Sequence, residues 1–152
     1  MQYKKGDLFN HLEEHKNPVI IHVCNDIGRW GKGFVVPLGN YFPGAKKLFN
    51  NNYRCGVASE LGNIQIYEND MGTVINMIAQ TGIYPVDGVP PIRYKHLKHT
   101  LEGVAAYCRE KDVEIVMPKI GAGLAGGNWL VIEEYIKEIL VKKGIKVTVY
   151  EL

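Results

Sequence analysis

The stretch Val19–Phe34, VIIHVCNDIGRWGKGF, decides the fold. Val19–Cys24 is apolar apart from His22 and reads as a central strand covered on both faces. Asn25 and Asp26 end it. A loop of Gly28, Arg29, Trp30, Gly31, Lys32 and Gly33 then leads into a segment with helical spacing. A strand that empties through glycines into a helix puts polar side chains and bare backbone N–H groups at the carboxyl edge of a sheet. Open α/β sheets bind ligands at that edge, and a helix N-terminus there favours phosphate. The stretch therefore points to a small ligand that carries phosphate.

Working outward, Met1–Lys4 reads as an edge strand, and Asp7 as the N-cap of a short helix over Leu8–His15 that Asn17-Pro18 terminates. Phe34–Phe49, interrupted by Gly39 and Pro43, reads as a helix, a break and a second short turn. Asn63–Tyr67 and Thr73–Ala79 read as strands joined by a hairpin at Asn69-Asp70-Met71-Gly72. Ile83–Pro91 is a Pro/Gly-bounded loop long enough to be functional. Ile92–Lys111 has helical spacing, Val113–Met117 is a strand, and Lys119–Gly127, KIGAGLAGG, is a second glycine loop. Asn128–Lys143 follows as an amphipathic helix capped by Gly144, and Ile145–Tyr150 is the last strand. The alternation predicts one α/β domain over residues 1–152, in three α/β/α layers around a mixed central sheet.

The 152 residues suffice for one core, and 46% hydrophobic with 22% charged residues excludes disordered and fibrous classes. A formal net charge of +2 gives no electrostatic case for nucleic acid or membrane. No apolar run approaches the ~18–20 residues of a membrane span, and MQYKKGD lacks a signal-peptide core. Cys24, Cys55 and Cys108 are odd in number without paired spacing, so neither a disulfide framework nor a metal site is suggested. A reduced, cytoplasmic protein is expected; its oligomeric state is not readable.

In the second loop Gly121, Gly123, Gly126 and Gly127 clear side chains where a backbone must approach a ligand. The N–H groups of Ile120 to Leu124 can then nest around a diphosphate. Neither loop has the lysine-serine/threonine of a triphosphate P-loop or spells G-x-G-x-x-G. A diphosphate ligand without a magnesium-lysine grip remains, and no cofactor is implied.

Five motifs in order, GDLF (Gly6–Phe9), VIIHVCNDIGRWGKG (Val19–Gly33), MIAQ (Met77–Gln80), MPKIGAGLAGGNW (Met117–Trp129) and VTVY (Val147–Tyr150), resemble the macrodomain family end to end. The likeness is nearest to the chromatin-remodeller type with its bacterial and phage relatives. It extends to the family's terminal ADP-ribose glycohydrolases and ADP-ribose-1″-phosphate phosphatases. The resemblance implies an ADP-ribose-binding module whose partner is ADP-ribose or an ADP-ribosylated macromolecule. Nucleic acid enters only as such a target.

By the same resemblance, Asp7 and the backbone of Leu8 recognise the adenine edge, and Tyr150 covers the adenine. Asn25, beside Asp26, hydrogen-bonds the distal ribose. The backbones of Gly31, Lys32, Gly33 and Phe34, and of Ile120, Gly121, Ala122, Gly123 and Leu124, cradle the phosphates. Glycohydrolase-type relatives carry a lysine and an aspartate where this chain has Gln80, counted here with the ligand-binding set, and Ala125. Schiff-base chemistry therefore has no residues to run on.

Direct attack by water needs a proton acceptor near the distal ribose. The candidates are Asp26, then His22, with Asp87 further out. His22 also reads as a satisfied core residue, Asp26 as a loop cap, and Arg29 and Lys32 as rim charges. Three readings stay open: a hydrolase removing ADP-ribose from ester-linked targets, a phosphatase acting on ADP-ribose 1″-phosphate, and a non-catalytic reader. A stand-alone domain, with no attached module to recruit, tilts the expectation toward the enzyme.

Overall fold

A computed structural model describes all residues, Met1–Leu152. Six strands form one sheet: β1 (Gln2–Lys5), β2 (Pro18–Asn25), β3 (Ile64–Asn69), β4 (Gly72–Gln80), β5 (Glu114–Met117) and β6 (Lys146–Glu151). Their order is β1-β6-β5-β2-β4-β3, with every pairing parallel except the β3–β4 hairpin at one edge. The sheet is mixed, as the residue pattern predicts. β2 lies between β5 and β4, which is why its run is apolar on both faces.

The helices are α1 (Val35–Tyr41), α2 (Pro43–Cys55), α3 (Tyr94–Cys108) and α4 (Trp129–Ile139). Alternation along the strands divides the core. Val19 and Ile21 of β2 and Ile75, Met77 and Ala79 of β4 pack with Leu97, Leu101 and Val104 of α3 and Ile132 and Ile136 of α4. Ile20 and Val74, on the opposite face, pack with Leu38 of α1, Phe42, Ala45 of α2 and Leu8, Phe9 and Leu12. Three layers result.

Two expectations are corrected. Leu8–His15 is not one helix but two 3-10 turns, Leu8–Asn10 and Leu12–Glu14, parted by His11 at φ −124° and ψ 7°. Asp7 does cap the first, its carboxylate accepting from Phe9 N at 3.0 Å. Each turn closes by its own three-residue bond, His11 N to Leu8 O and His15 N to Leu12 O, both at 3.1 Å, and His11 leaves the helical region between them. The second element after Phe34 is a full helix of 13 residues rather than a short turn. Pro43 opens that helix, where its missing N–H costs nothing, and Gly56 closes it in the left-handed conformation.

Ile21 is fully buried in β2 between the α3 and α4 layer and its neighbouring strands. Ile21→Ala is expected to cost about 2–5 kcal/mol, the usual range for emptying such a core site. Urea unfolding checks this, and a loss under about 1 kcal/mol would contradict the packing.

Candidate functional site

At the carboxyl edge of the sheet a cleft of about 890 Å³ is bounded by both glycine loops and by the loop after β4. That size lies within the ~300–1,000 Å³ of small-molecule sites. His22, Asn25, Gly31, Lys32, Gly33, Phe34, Gln80, Ile120, Gly121, Gly123 and Leu124 line it, so the motifs noted in the sequence do converge. Asp7, Leu8, Asp26, Ala122 and Tyr150 are not among its walls. A second depression of about 940 Å³ lies at the amino ends of β2 and β4, beyond the reach of either glycine loop.

The first loop is held open by its own side chains. Asn25 Oδ1 accepts from Ile27 N (3.1 Å) and Arg29 N (3.0 Å), and its Nδ2 donates to Arg29 O (2.7 Å). One Asn25 N–H is left to offer a ligand. Trp30 Nε1 donates to Val35 O (2.9 Å), and its ring packs on Phe49, anchoring the loop to the start of α1 and to α2. Gly33 sits at φ +79° with Leu124 of the second loop leaning across it. In that second loop Gly121 is at φ +69° and accepts from Gly127 N at 2.7 Å, closing a tight turn.

The N–H groups of Gly31, Lys32, Gly33 and Phe34 on one side, and of Ile120, Gly121, Gly123 and Leu124 on the other, donate to no acceptor in the protein. Ala122 N is different, turning back to Lys119 O at 3.3 Å. Unpaired backbone donors on facing loops make an anion cradle. Arg29, Lys32 and Lys119 stand on the same walls, and no aspartate or glutamate does.

Beneath the cleft a polar row crosses three strands. His22, Asn76 and Gln65 are register partners on β2, β4 and β3. Asn76 Nδ2 donates to Gln65 Oε1 (3.2 Å) and Ala45 O (3.3 Å), which turns its Oδ1 toward His22 Nε2 at 2.5 Å. Gln65 Nε2 ends the row on Ala58 O at 2.9 Å. His22 Nε2 therefore carries the ring proton, and Nδ1 is left as an acceptor. Burial outweighs the Asn76 contact and pulls the imidazole pKa down to about 4. Burial pushes the Cys24 thiol well up, so it stays protonated beside the imidazole, 3.7 Å from Nδ1 and 3.6 Å from Nε2. Sequence reasoning missed Asn76 and Gln65. The available signal was an amide in the apolar run TVINMIA.

Asp26 is tied elsewhere, its carboxylate accepting from Gly82 N at 2.9 Å. Tyr150 is buried, with its hydroxyl 2.6 Å from His15 Nε2 and its ring stacked on His11. Burial raises its phenol pKa. The loop after β4 contributes Ile83, Tyr84 and Pro85 to the cleft. Asp87 sits at the tip of that loop, off the cleft wall.

No protein-family model matches the chain. It is 31% identical over 153 residues to the ADP-ribose 1″-phosphate phosphatase of Candida albicans, covering 91% of this chain and 92% of that protein. It is 27% identical over 151 residues to the ADP-ribose glycohydrolase OARD1 of Homo sapiens, covering 99% of this chain and 90% of that one. A solved macrodomain protein from Streptomyces coelicolor superposes with a TM-score of 0.81 at 32% identity, over 99% of this chain and 98% of the other. With its glycine-loop cleft on a six-stranded mixed sheet, the chain belongs to the macrodomain family.

Proposed function

We propose that the chain, as a single macrodomain over residues 1–152, binds ADP-ribose in this cleft and hydrolyses the bond joining the distal ribose to an ester-linked target. The observation that carries the binding is the set of unpaired N–H groups on the two glycine loops that bound the cleft, which suits a diphosphate. On this reading Asn25 offers its free amide proton to the distal ribose, and Gln80 lines the same end. The adenine lies toward Asp7, Leu8 and Tyr150, on the β1–β6 side of the sheet. The relatives named as ADP-ribose glycohydrolase and ADP-ribose 1″-phosphate phosphatase support hydrolysis at the distal ribose.

The proton acceptor for the attacking water is His22 Nδ1. No carboxylate lines the cleft, the Cys24 thiol is protonated, and Lys119 is 3.1 Å from Glu151. With its pKa near 4 the imidazole is neutral across the physiological range, which keeps the Nδ1 lone pair available. It takes the proton only as the water bonds to the anomeric carbon and becomes acidic. The phosphatase reading stands second, favoured by the Candida relative; it uses the same cleft with a 1″-phosphate as the leaving group.

Three results are expected. ADP-ribose at about a hundredfold excess over Kd stabilises the protein by about 2.7 kcal/mol, read as a rise in Tm. A Cβ at Gly31 or Gly123 meets nothing within 4 Å, so Gly31→Val and Gly123→Val keep the wild-type unliganded Tm and lose that rise. A full rise in both variants would remove the ligand from this cleft.

Incubation with glutamate-linked ADP-ribose and with ADP-ribose 1″-phosphate separates the activities. Turnover of the first is expected, and of neither once His22 is replaced by Asn. Turnover of neither by the wild type would leave a reader.

His22 also links stability to pH. The unfolded histidine takes a proton near pH 6.5 and the folded one only near 4, so stability is full above 6.5 and falls as pH drops between them. Between pH 7 and 5 this amounts to about 2 kcal/mol, and it is absent from His22→Asn, as urea unfolding at the two values will show. Equal pH dependence in both proteins would contradict a buried, neutral His22.

A further inference from the structure

The loop after β4 reaches the cleft through Ile83, Tyr84 and Pro85, yet its tip has almost no packing. Tyr84 is 70% exposed, Val86 66% and Val89 54%. The tip holds itself only through the Val86–Val89 bridge, with N–H to O distances of 3.0 and 2.9 Å. Its C-terminal base is tied down, because Arg93 Nη1 donates to the carbonyls of Pro90, Pro91 and Ile92 and Thr81 N donates to Pro91 O. Between Thr81 and the cleft-lining residues stands one peptide unit, Gly82, at φ +60°.

Gly82 is gripped from both sides. Its N–H donates to Asp26 Oδ1 and its carbonyl accepts from Gln80 Nε2, both at 2.9 Å. Asp26 is itself fixed, since its own N–H donates to Gln80 O at 3.1 Å across the ends of β2 and β4. We infer that Asp26 is a positioning residue: its carboxylate, with the Gln80 amide opposite, clamps Gly82 and so sets Ile83-Tyr84-Pro85 as the distal wall of the cleft. This rests on the reading of the cleft as an ADP-ribose site and assigns Asp26 a role other than proton acceptor. The carboxylate points to a backbone donor, lies off the cleft wall, and makes the one hydrogen bond that joins the segment after β2 to this third loop. The wall it sets stands where the group attached to the distal ribose must leave, so the clamp bears on which leaving groups fit.

Asparagine keeps an oxygen that can accept from Gly82 N but cannot serve as a base; alanine keeps neither property. In the unliganded wild type the Gly82 amide proton is expected to resonate downfield, as a donor to a carboxylate does, and to move upfield in Asp26→Ala. Gly82 exchange with solvent is expected to quicken about tenfold in Asp26→Ala and to stay near wild type in Asp26→Asn. Turnover should follow the same order, with Asp26→Ala raising KM about tenfold and Asp26→Asn retaining kcat. A Gly82 amide indifferent to the Asp26 carboxyl would overturn the clamp. So would an Asp26→Asn variant as inactive as Asp26→Ala while its Gly82 exchange is unchanged, the signature of a base. Because the Gly82 readouts need no ligand, they decide the clamp even if ADP-ribose fails to bind the wild type, a result that would sink the site reading alone.

Discussion

The parallel pairing of β2 with β4 is the constraint on which the cleft depends. Six consecutive residues of β2, Val19 to Cys24, run in step with Thr73 to Ile78, and the ladder then slips so that Asn25 faces Gln80. A bulge of this kind leaves Ala79 unmatched and bends the strand end. Parallel strands deliver their following loops to the same edge, so the first glycine loop and the loop after β4 leave side by side. Asp26 N still reaches Gln80 O one residue beyond the last paired position, which keeps the two exits together.

The same register decides what lies under the cleft. His22, Asn76 and Gln65 oppose one another on adjacent strands, so a buried polar residue on β2 finds an amide partner on β4 and that amide a second on β3. An unpaired buried amide costs about 1–3 kcal/mol, so the row is tolerable only because each of these amides has a partner. Ala45 O and Ala58 O take the protons that the strands do not. The nitrogen outside the row is His22 Nδ1, which has only the weak Cys24 thiol 3.7 Å away, and His22 is among the residues that line the cleft. The order of the row, rather than any one contact, fixes which imidazole nitrogen carries the proton.

Much of this was legible in advance. All six strands and both glycine loops follow from local patterns, because alternation, apolar runs and glycine clusters are short-range signals. The 3-10 turns over Leu8–Glu14 were not, since a cap and a few apolar residues look alike at the start of any helix. Pro43 read as a break because proline both ends and begins helices, and only the packing of Ala45 and Phe49 shows that here it begins one. The partners of Asp26 and His22 lie 56 and 54 positions away, at Gly82 and Asn76, so no window of sequence holds both ends of either contact. For Tyr150 the resemblance implied a cover for adenine, and its contacts with His11 and His15 depend on turns that the sequence pattern does not specify.

Position 80 bears directly on the proposal that water is the nucleophile. Relatives of the glycohydrolase type are expected from the motif to carry a lysine there, whereas here the Gln80 amide donates to Gly82 O. One side chain cannot both brace that carbonyl and attack a sugar carbon. The partner position is closed as well, for Ala125 is buried and offers only its carbonyl, which accepts from Ile92 N at 3.1 Å. An amine at position 80 would also arrive in a cleft already lined by Arg29, Lys32 and Lys119 with no carboxylate among its walls. Like charges disfavour protonation of such an amine, but without an acid nearby nothing directs its proton. A neutral imidazole held by the Asn76 carboxamide, which Gln65 holds in turn, needs neither a charge partner nor a reactive amine. It fits a cleft walled by cations and by unpaired backbone N–H groups.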